Sequence, residues 1–518
     1  MKPIRLISGF FTVGLWTMLS RILGFVRDVM ILGYLGTGPL YEAYVVAFRL
    51  PNIFRRFFAE GAFNTAFVPM FSKKIEAGED AKAFAEAAYS GLATVLIVLT
   101  LVAMATMPWL IYALASGFEG QEQFAFSVEF GRIAFPYILF ISLAALISGV
   151  LNATGRFAAA AAAPVLLNVL LVGGMAAAAI LGGDVARALI WMIPFAGIAQ
   201  LALVWVAASR AGFALKLKRP RFSPEMRKLV RIAVPAALAG GVVQINLLVG
   251  QQVASYFDRA VGWLYAADRL YQLPLGVVGI AIGIVLLPDL SRRLKAGDDA
   301  GGRDALSRAA EISMALTLPS AVALFTIPFA LVTVLFQRGA TTVDDSAAIA
   351  LAVGIYGLGL PAFVAQKILQ PLYFAREDTT TPFRFAINAM VVNAVLAIGL
   401  ALLLGEPFGW VGPAIATTTA AWVMVWQLSR GARSMGEMAR FDARFHSRIW
   451  RILMAAAVMG MVLWFANEAL NPVLQMAGWR YLGLALLITI GMGTYAIAGQ
   501  LFGAFQLSDL KASLRRAR

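Results

Sequence analysis

The sequence predicts an all-α integral membrane protein of fourteen transmembrane helices, and three observations lead there. Of its 518 residues, 60% are hydrophobic and 14% charged, with a mean hydropathy of +0.79. Water-soluble chains carry roughly 45–50% apolar and about 25% charged residues, so this much charge cannot cover a soluble globule of 55.5 kDa. A soluble enzyme is excluded. Second, the apolar residues gather into fourteen runs near the length of about 20 residues that spans a bilayer, whereas an outer-membrane barrel would show short alternating strands. Third, the chain repeats itself with a period of 218–219 residues.

The first six spans lie at 8–35, 41–71, 88–112, 128–151, 158–181 and 188–208. The next six lie at 229–255, 262–290, 311–336, 347–373, 383–404 and 410–429, and two more at 449–469 and 479–503. Segment 44–74 matches 263–293, so that Pro69-Met-Phe-Ser-Lys-Lys falls on Pro288-Asp-Leu-Ser-Arg-Arg. NATGRFAAAAAAP, ending at Pro164, matches FAREDTTTP, ending at Pro382, with a gap. Two matches at one period predict two related six-helix halves. Six is even, so both halves enter the membrane from the same side, giving a parallel repeat with a central site between lobes. The expected divisions are 1–215, 216–440, and 441–518 for an appended two-helix hairpin with a basic tail.

Charge supplies the orientation. The 43 basic residues exceed the 28 acidic ones by 15. In loops on the N-terminal side of the membrane there are 31 basic residues, against four opposite: Arg187, Arg259, Arg338 and Arg480. This positive-inside bias places both termini in the cytoplasm. The excess then serves topology and contact with anionic headgroups, and no nucleic-acid partner is expected. The first segment is too long for a cleaved signal peptide, contains Arg21 and Arg27, and lacks a small-residue cleavage site. There is no cysteine, and the single histidine, His446, sits in a basic loop, so no metal site is expected. The GTG at 36–38 and GLGLP at 357–361 lack the strand–loop–helix setting of a phosphate loop. No Walker lysine, paired catalytic carboxylates or Ser/His arrangement is present, so neither catalysis nor a cofactor is expected.

Eight basic residues remain inside spans: Arg21, Arg27, Arg49, Arg55, Arg56, Arg132, Arg269 and Lys367. An arginine at mid-helix costs about 2.5–3.5 kcal/mol on insertion scales, so such residues need a wet cavity, a partner or a route to the interface. Arg132 reads as snorkelling, Arg49 as either, and Arg21, Arg27 and Arg269 as cavity residues. On the first span, Gly14, Thr17, Ser20, Arg21, Gly24, Arg27 and Asp28 fall within roughly 140° at ~100° per residue. Leu15, Leu19, Ile22, Leu23 and Val26 occupy the rest. One face therefore meets lipid and the other a polar space, with Asp28 orienting the arginines; a structural helix–helix ion pair is the alternative. On the second span Glu42, Arg49, Arg56, Glu60 and Asn64 align, although Pro51 interrupts the ladder. In the second half Asp268 and Arg269 precede Pro274. Guanidiniums favour an anion, and a diphosphate in particular, through paired N–H donors. Asn246, Asn388, Asn393, Thr417 and Thr418 read as interhelical hydrogen bonds or as a cation site. Prolines 136, 235, 274, 361 and 371 are expected to bend helices.

SRILGFVRD (20–28), AFRLPNIFRRFFAEGAFNTAFVP (47–69), FPYILFISL (135–143), YAADRLYQLPLGVVGIAIGIVLLP (265–288) and the stretch from Arg376 to Pro382 carry a family resemblance. Over about residues 5–505 the chain resembles MurJ/MviN, the lipid II flippases of bacterial peptidoglycan synthesis and cell-wall biogenesis. The resemblance implies the multidrug/oligosaccharidyl-lipid/polysaccharide exporter fold, with two six-helix lobes in a V plus a final hairpin. It also implies a groove between hairpin and second lobe for a polyprenyl tail. By motif, the family's functional positions fall on Ser20, Arg21, Arg27, Asp28, Arg55, Glu60 and Arg269. Here the resemblance favours Arg55 where periodicity favours Arg56. Glu42 stands where relatives have Asp.

The expected activity is translocation of lipid II across the bacterial inner membrane by alternating access. Arg21, Arg27, Arg55, Arg269 and Ser20 would hold the diphosphate, with Asp28, Glu42, Arg49, Glu60 and Asp268 supporting the cavity. Cell-wall synthesis proteins are the expected partners. The rival readings are an exporter of another polyprenyl-diphosphate oligosaccharide or of drugs, a membrane-embedded glycosyltransferase, and a non-transporting scaffold.

Overall fold

The computed structural model describes residues 6–55, 62–220, 223–476 and 478–505. Arg56, Glu60, the basic tail, and the side chains of Asn64, Pro235 and Asn246 lie outside the described residues. Among the described residues the chain is helical, with short 3-10 turns and no strand. The helices of the first half are α1 Leu6–Leu35, α2 Pro39–Arg55, α3 Ala62–Glu76, α4 Ala81–Ala105, α5 Met107–Leu114, α6 Glu122–Ala134, α7 Tyr137–Ala153, α8 Ala158–Ile180 and α9 Val185–Arg210. There follow α10 Pro224–Ala254, α11 Ala260–Lys295, α12 Asp299–Thr326, α13 Pro328–Phe336, α14 Val343–Phe374, α15 Thr380–Leu404, α16 Gly412–Ala432, α17 Ala443–Gln475 and α18 Arg480–Leu501.

Nine helical stretches among the described residues are long and apolar enough to cross a membrane. Thr380–Leu404 is among them with 22% of its apolar stretch buried, and its Leu402 and Leu403 are each 80% exposed. A surface of that composition needs lipid rather than water around it.

Among the described residues three expected spans are each divided between two helices, and a proline stands at each break. Pro108 and Pro328 occupy the first turns of α5 and α13, and Pro136 caps α7. Proline lacks the N–H that a continuing helix would need, so it sits comfortably at a helix start. Pro51, Pro274, Pro361 and Pro371 instead stand inside helices that continue. The ladder of α2 thus survives Pro51 as far as Arg55, and Asn52 Nδ2 donates to Phe48 O at 2.9 Å in the turn that the proline disturbs.

The chain divides into two compact units, Met1–Gly262 with Gly339–Thr341, and Trp263–Arg338 with Thr342–Arg518. In the first, α1 packs on α8, α8 on α9, α9 on α7 and α2 on α6. Phe67 stacks on both Phe71 and Phe84 in its core. Residues 339–341 belong here because Ala340 N–H donates to Gly33 O and Thr341 Oγ1 to Leu32 O. In the second, α14 lies against α12 and α16, α15 against α16, and α17 against α12 and α18.

Although α10 opens the second sequence repeat, it packs on α3 within the first unit. Polar contacts fasten it at both ends. Lys74 pairs with Glu225 at 2.8 Å near its start. Near its finish, Ser116 N–H donates to Gln252 Oε1 at 3.1 Å, Gly117 N–H to Ser255 Oγ at 3.0 Å, and Gln251 Nε2 to Leu114 O at 3.3 Å. The segment leading into α10 is strapped to α4: Lys216 N–H donates to Glu86 Oε1, Lys218 N–H to Ser90 Oγ, and Lys218 Nζ lies 2.5 Å from Glu86 Oε2.

The second internal match has a structural counterpart. The α7–α8 corner turns through Gly155 (φ +75°), and the α14–α15 corner through Glu377 (φ +61°). In both, the following residue donates back five positions, Arg156 to Leu151 O and Asp378 to Tyr373 O, the closure of a Schellman turn. Asp378 then accepts from Thr381 N–H at 2.9 Å. That bond, with further donors on Thr381 and Thr380, holds its carboxyl below the ordinary aspartate value.

Candidate substrate-binding site

On α1 the polar sector is a packed face more than an open one. Arg27 Nε and Nη2 donate to Asp28 Oδ1 at 3.0 and 2.7 Å, and Nη1 donates to Asn168 Oδ1 on α8 at 2.9 Å. Asn168 uses its other end as well, with Nδ2 donating to Ser20 O at 3.0 Å and Pro164 O at 3.3 Å. Gly24 faces this amide, and a Cβ there would sit in ordinary contact with it at 3.6 Å. Asp28 therefore pairs with the neighbouring Arg27, while Arg21, at the edge of the sector, is exposed. Leu15, Leu19, Ile22 and Val26 are exposed as well, as expected of a lipid-facing stripe.

On α2, Glu42 is 1% exposed. Its Oε1 accepts from Val261 N–H at 3.1 Å and Gly262 N–H at 3.4 Å, in the first turn of α11, where the leading N–H groups have no partner within the helix. Arg49 and Arg55 are half-buried further along α2. On α11, Asp268 and Arg269 are neighbours at 3.8 Å. The Arg269 guanidinium lies 4.2 Å from the ring centre of Tyr265, one turn earlier, a cation–π contact. Gln272 donates to Asp268 from the following turn.

The other intramembrane polar residues resolve individually. Arg132 is exposed and donates to Met104 O at 3.2 Å, near the end of α4. Thr417 donates to Asn393 at 3.5 Å and Thr418 to Ile355 O at 3.0 Å, so these are interhelical hydrogen bonds. Asn388 and Lys367 are exposed. His446 Nδ1 lies 2.8 Å from Asp442 O. No cluster of metal-ligating side chains exists among the described residues.

Sequence reasoning missed Asn168 and Tyr265. An isolated asparagine in the otherwise apolar 158–181 run was the available signal, because polar groups at bilayer depth seek partners. For Tyr265 it was the four-residue spacing to Arg269. The second unit also contains an apolar groove of about 280 Å³ between α12, α14, α16 and α17, with Met314, Leu318, Ile368, Phe445 and Ile449 in its walls.

Comparison with known proteins identifies this assembly. The sequence model of the family described as lipid II flippase MurJ matches residues 31–479. The chain belongs to the MurJ family. It is 40% identical to a probable lipid II flippase MurJ of Rhizobium tropici, over 99% of this chain and 98% of that one. Another, from Rhizobium meliloti (strain 1021), is 42% identical over 99% and 97%. Among solved structures, the lipid II flippase MurJ in its inward closed conformation superimposes with a TM-score of 0.79 at 24% identity, covering 95% of this chain and 98% of that one. An inward-facing multidrug resistance MATE family transporter of the MOP superfamily gives 0.68 at 14% identity, covering 82% and 96%. Both share the fold of this MurJ-family chain, a multi-pass all-helical membrane transporter fold.

Proposed function

We propose that this chain is a lipid II flippase, carrying undecaprenyl-diphosphate-linked disaccharide-pentapeptide from the cytoplasmic to the periplasmic leaflet of the inner membrane. The observation that carries this reading is 40% and 42% identity, over nearly the full length, to relatives named as probable lipid II flippases. In this reading, fourteen transmembrane helices form two six-helix lobes in a V, following the repeat at 1–215 and 216–440, with 441–518 as the hairpin and tail. Both termini are cytoplasmic. Single cysteines at Ser434 and Asp258 test that orientation, since the sequence has none of its own: equal labelling of both by an impermeant reagent on intact cells rejects it.

The diphosphate is held by Arg21, Arg27, Arg55 and Arg269 with Ser20, and supported by Asp28, Glu42, Arg49, Glu60 and Asp268. Asp28 and Asn168 hold Arg27 ready, so binding an anion needs little reordering of that side chain. The apolar groove of the second unit takes the polyprenyl tail, and alternating access carries the headgroup across. The reading needs no catalytic residue, cofactor or metal.

Complementation of a strain depleted of its own lipid II flippase tests this, with wild type beside Arg27→Ala and Arg269→Ala at matched membrane levels. Rescue by wild type and loss in both variants is the expected result. Rescue by all three removes the arginine site and keeps the function. Failure of well-expressed wild type shifts the reading to an exporter of another polyprenyl-diphosphate oligosaccharide or of drugs.

A further inference from the structure

The groove of the second unit is walled on two sides by stripes of apolar residues at four-residue spacing. Ala310, Met314 and Leu318 come from α12, and Phe441, Phe445, Ile449 and Leu453 from α17 and the turn before it. Charge flanks each stripe, one residue away. Glu311 follows Ala310, and Arg444 and Arg448 precede Phe445 and Ile449.

Glu311 is 7% exposed, and three guanidiniums converge on its carboxylate. Arg308 donates to Oε2, Arg448 to Oε1, and Arg444 to Oε1 at 3.4 Å. Arg308 also reaches Asp442, the cap of α17. Asp442 N–H in turn donates to Ser307 Oγ on α12 at 3.0 Å. The first turns of α17 are thus fastened to α12 by a polar cluster beside the groove, in which Glu311 alone accepts from both Arg444 and Arg448 of α17, while Arg308 and Ser307 hold Asp442 and Arg303 donates to Phe441 O. In a bilayer, apolar contact alone gives little preference for one helix separation over another, because lipid tails serve as well as leucines; polar contacts fix it.

Resting on the reading that the groove takes the polyprenyl tail, we propose that Glu311 is a positioning residue for that tail. By holding α17 at a set distance from α12, it fixes the width of the groove beside it and makes tight binding depend on a long chain that fills it.

The test uses the full-length protein in nanodiscs and measures Kd for polyprenyl diphosphates of one headgroup and three tail lengths: farnesyl, heptaprenyl and undecaprenyl. In wild type, affinity rises about tenfold or more from the shortest to the longest, about 1.4 kcal/mol, because a groove of set width packs a chain that fills it more closely than fluid lipid does. Glu311→Gln is expected to keep the farnesyl diphosphate Kd and lose most of that gain. The exchanged pair Glu311→Arg with Arg448→Glu is expected to recover it, which a general loss of folding would not allow. A full chain-length gain in Glu311→Gln overturns the proposal while leaving the tail groove intact. Equal weakening for all three tails also overturns it, marking Glu311 as structural. A wild type indifferent to tail length defeats the groove reading itself, and the proposal with it.

Discussion

Asn168 offers the sharpest test of how the first unit presents its arginine. Its side chain is 5% exposed and makes two kinds of bond at once, accepting from the Arg27 guanidinium and donating to the Ser20 carbonyl. Hydrogen bonds to charged groups contribute about 1.5–3 kcal/mol in soluble proteins, whereas side-chain bonds between membrane helices average about 0.6 and reach about 1.7 kcal/mol. Arg27 is part-buried, with its side chain 11% exposed, so the upper membrane figure applies. A coupling of about 1.4 kcal/mol, or tenfold, is expected between the two residues.

Asn168→Leu removes both bonds at similar volume and should lower lipid translocation in reconstituted vesicles about tenfold. Asn168→Asp keeps an acceptor for Arg27 and loses the donor to Ser20, so it should fall less. Once Arg27 is alanine, adding Asn168→Leu should cost only the smaller share that the lost Ser20 bond contributes, well short of tenfold. The reasoning is refuted if Asn168→Leu transports like wild type, or if the double variant shows the product of the two single losses.

Glu377→Gly relieves a left-handed backbone that only glycine adopts freely and should stabilise the α14–α15 corner by about 1 kcal/mol, read by denaturation in mixed detergent. An unchanged midpoint would mean that the turn is not strained. Asp378, beside it, is held below the ordinary carboxylate value. Its stabilisation is therefore present above the unfolded value of about 3.9 and lost as pH falls through the lower folded one. The stability gap between wild type and Asp378→Asn should stay level from neutral pH to about pH 5 and close below that; a constant gap in acid contradicts the shift. Gly117→Ala places a Cβ 2.4 Å from the Ser255 carbonyl oxygen, a backbone atom that cannot swing aside. It should destabilise the α5–α10 junction by about 1–3 kcal/mol, measured by the same denaturation.

The helical class was plain in the hydropathy, and the α1 arginines stood out because charge within an apolar run has no bland local explanation. Proline positions revealed bends but not their severity: Pro136 ends a helix run while Pro361 sits within one. What decides the difference is whether neighbouring helices fill the gap left by the missing N–H, and that is tertiary information. The partners of Arg27 and Glu42 were out of reach for the same reason. Asn168 lies 141 residues from Arg27, and Val261 lies 219 from Glu42, separations over which neither periodicity nor composition specifies a contact. The Arg27–Asp28 contact was legible because the two are adjacent in sequence.

The placement of α10 bears on how this chain can be taken apart. The repeat invites a cut near residue 215, giving two halves of equal helix count. Such a cut would strip α3 of its covering helix, leave Lys74 facing no Glu225, and open the Leu114–Gly117 carbonyl and amide groups to lipid or water. A fragment that runs on through Gly262 keeps all of these satisfied, and with them the Val261 and Gly262 N–H bonds to Glu42. For split reporters, co-expressed fragments or circular permutants, the serviceable seam lies one helix later than the sequence repeat suggests.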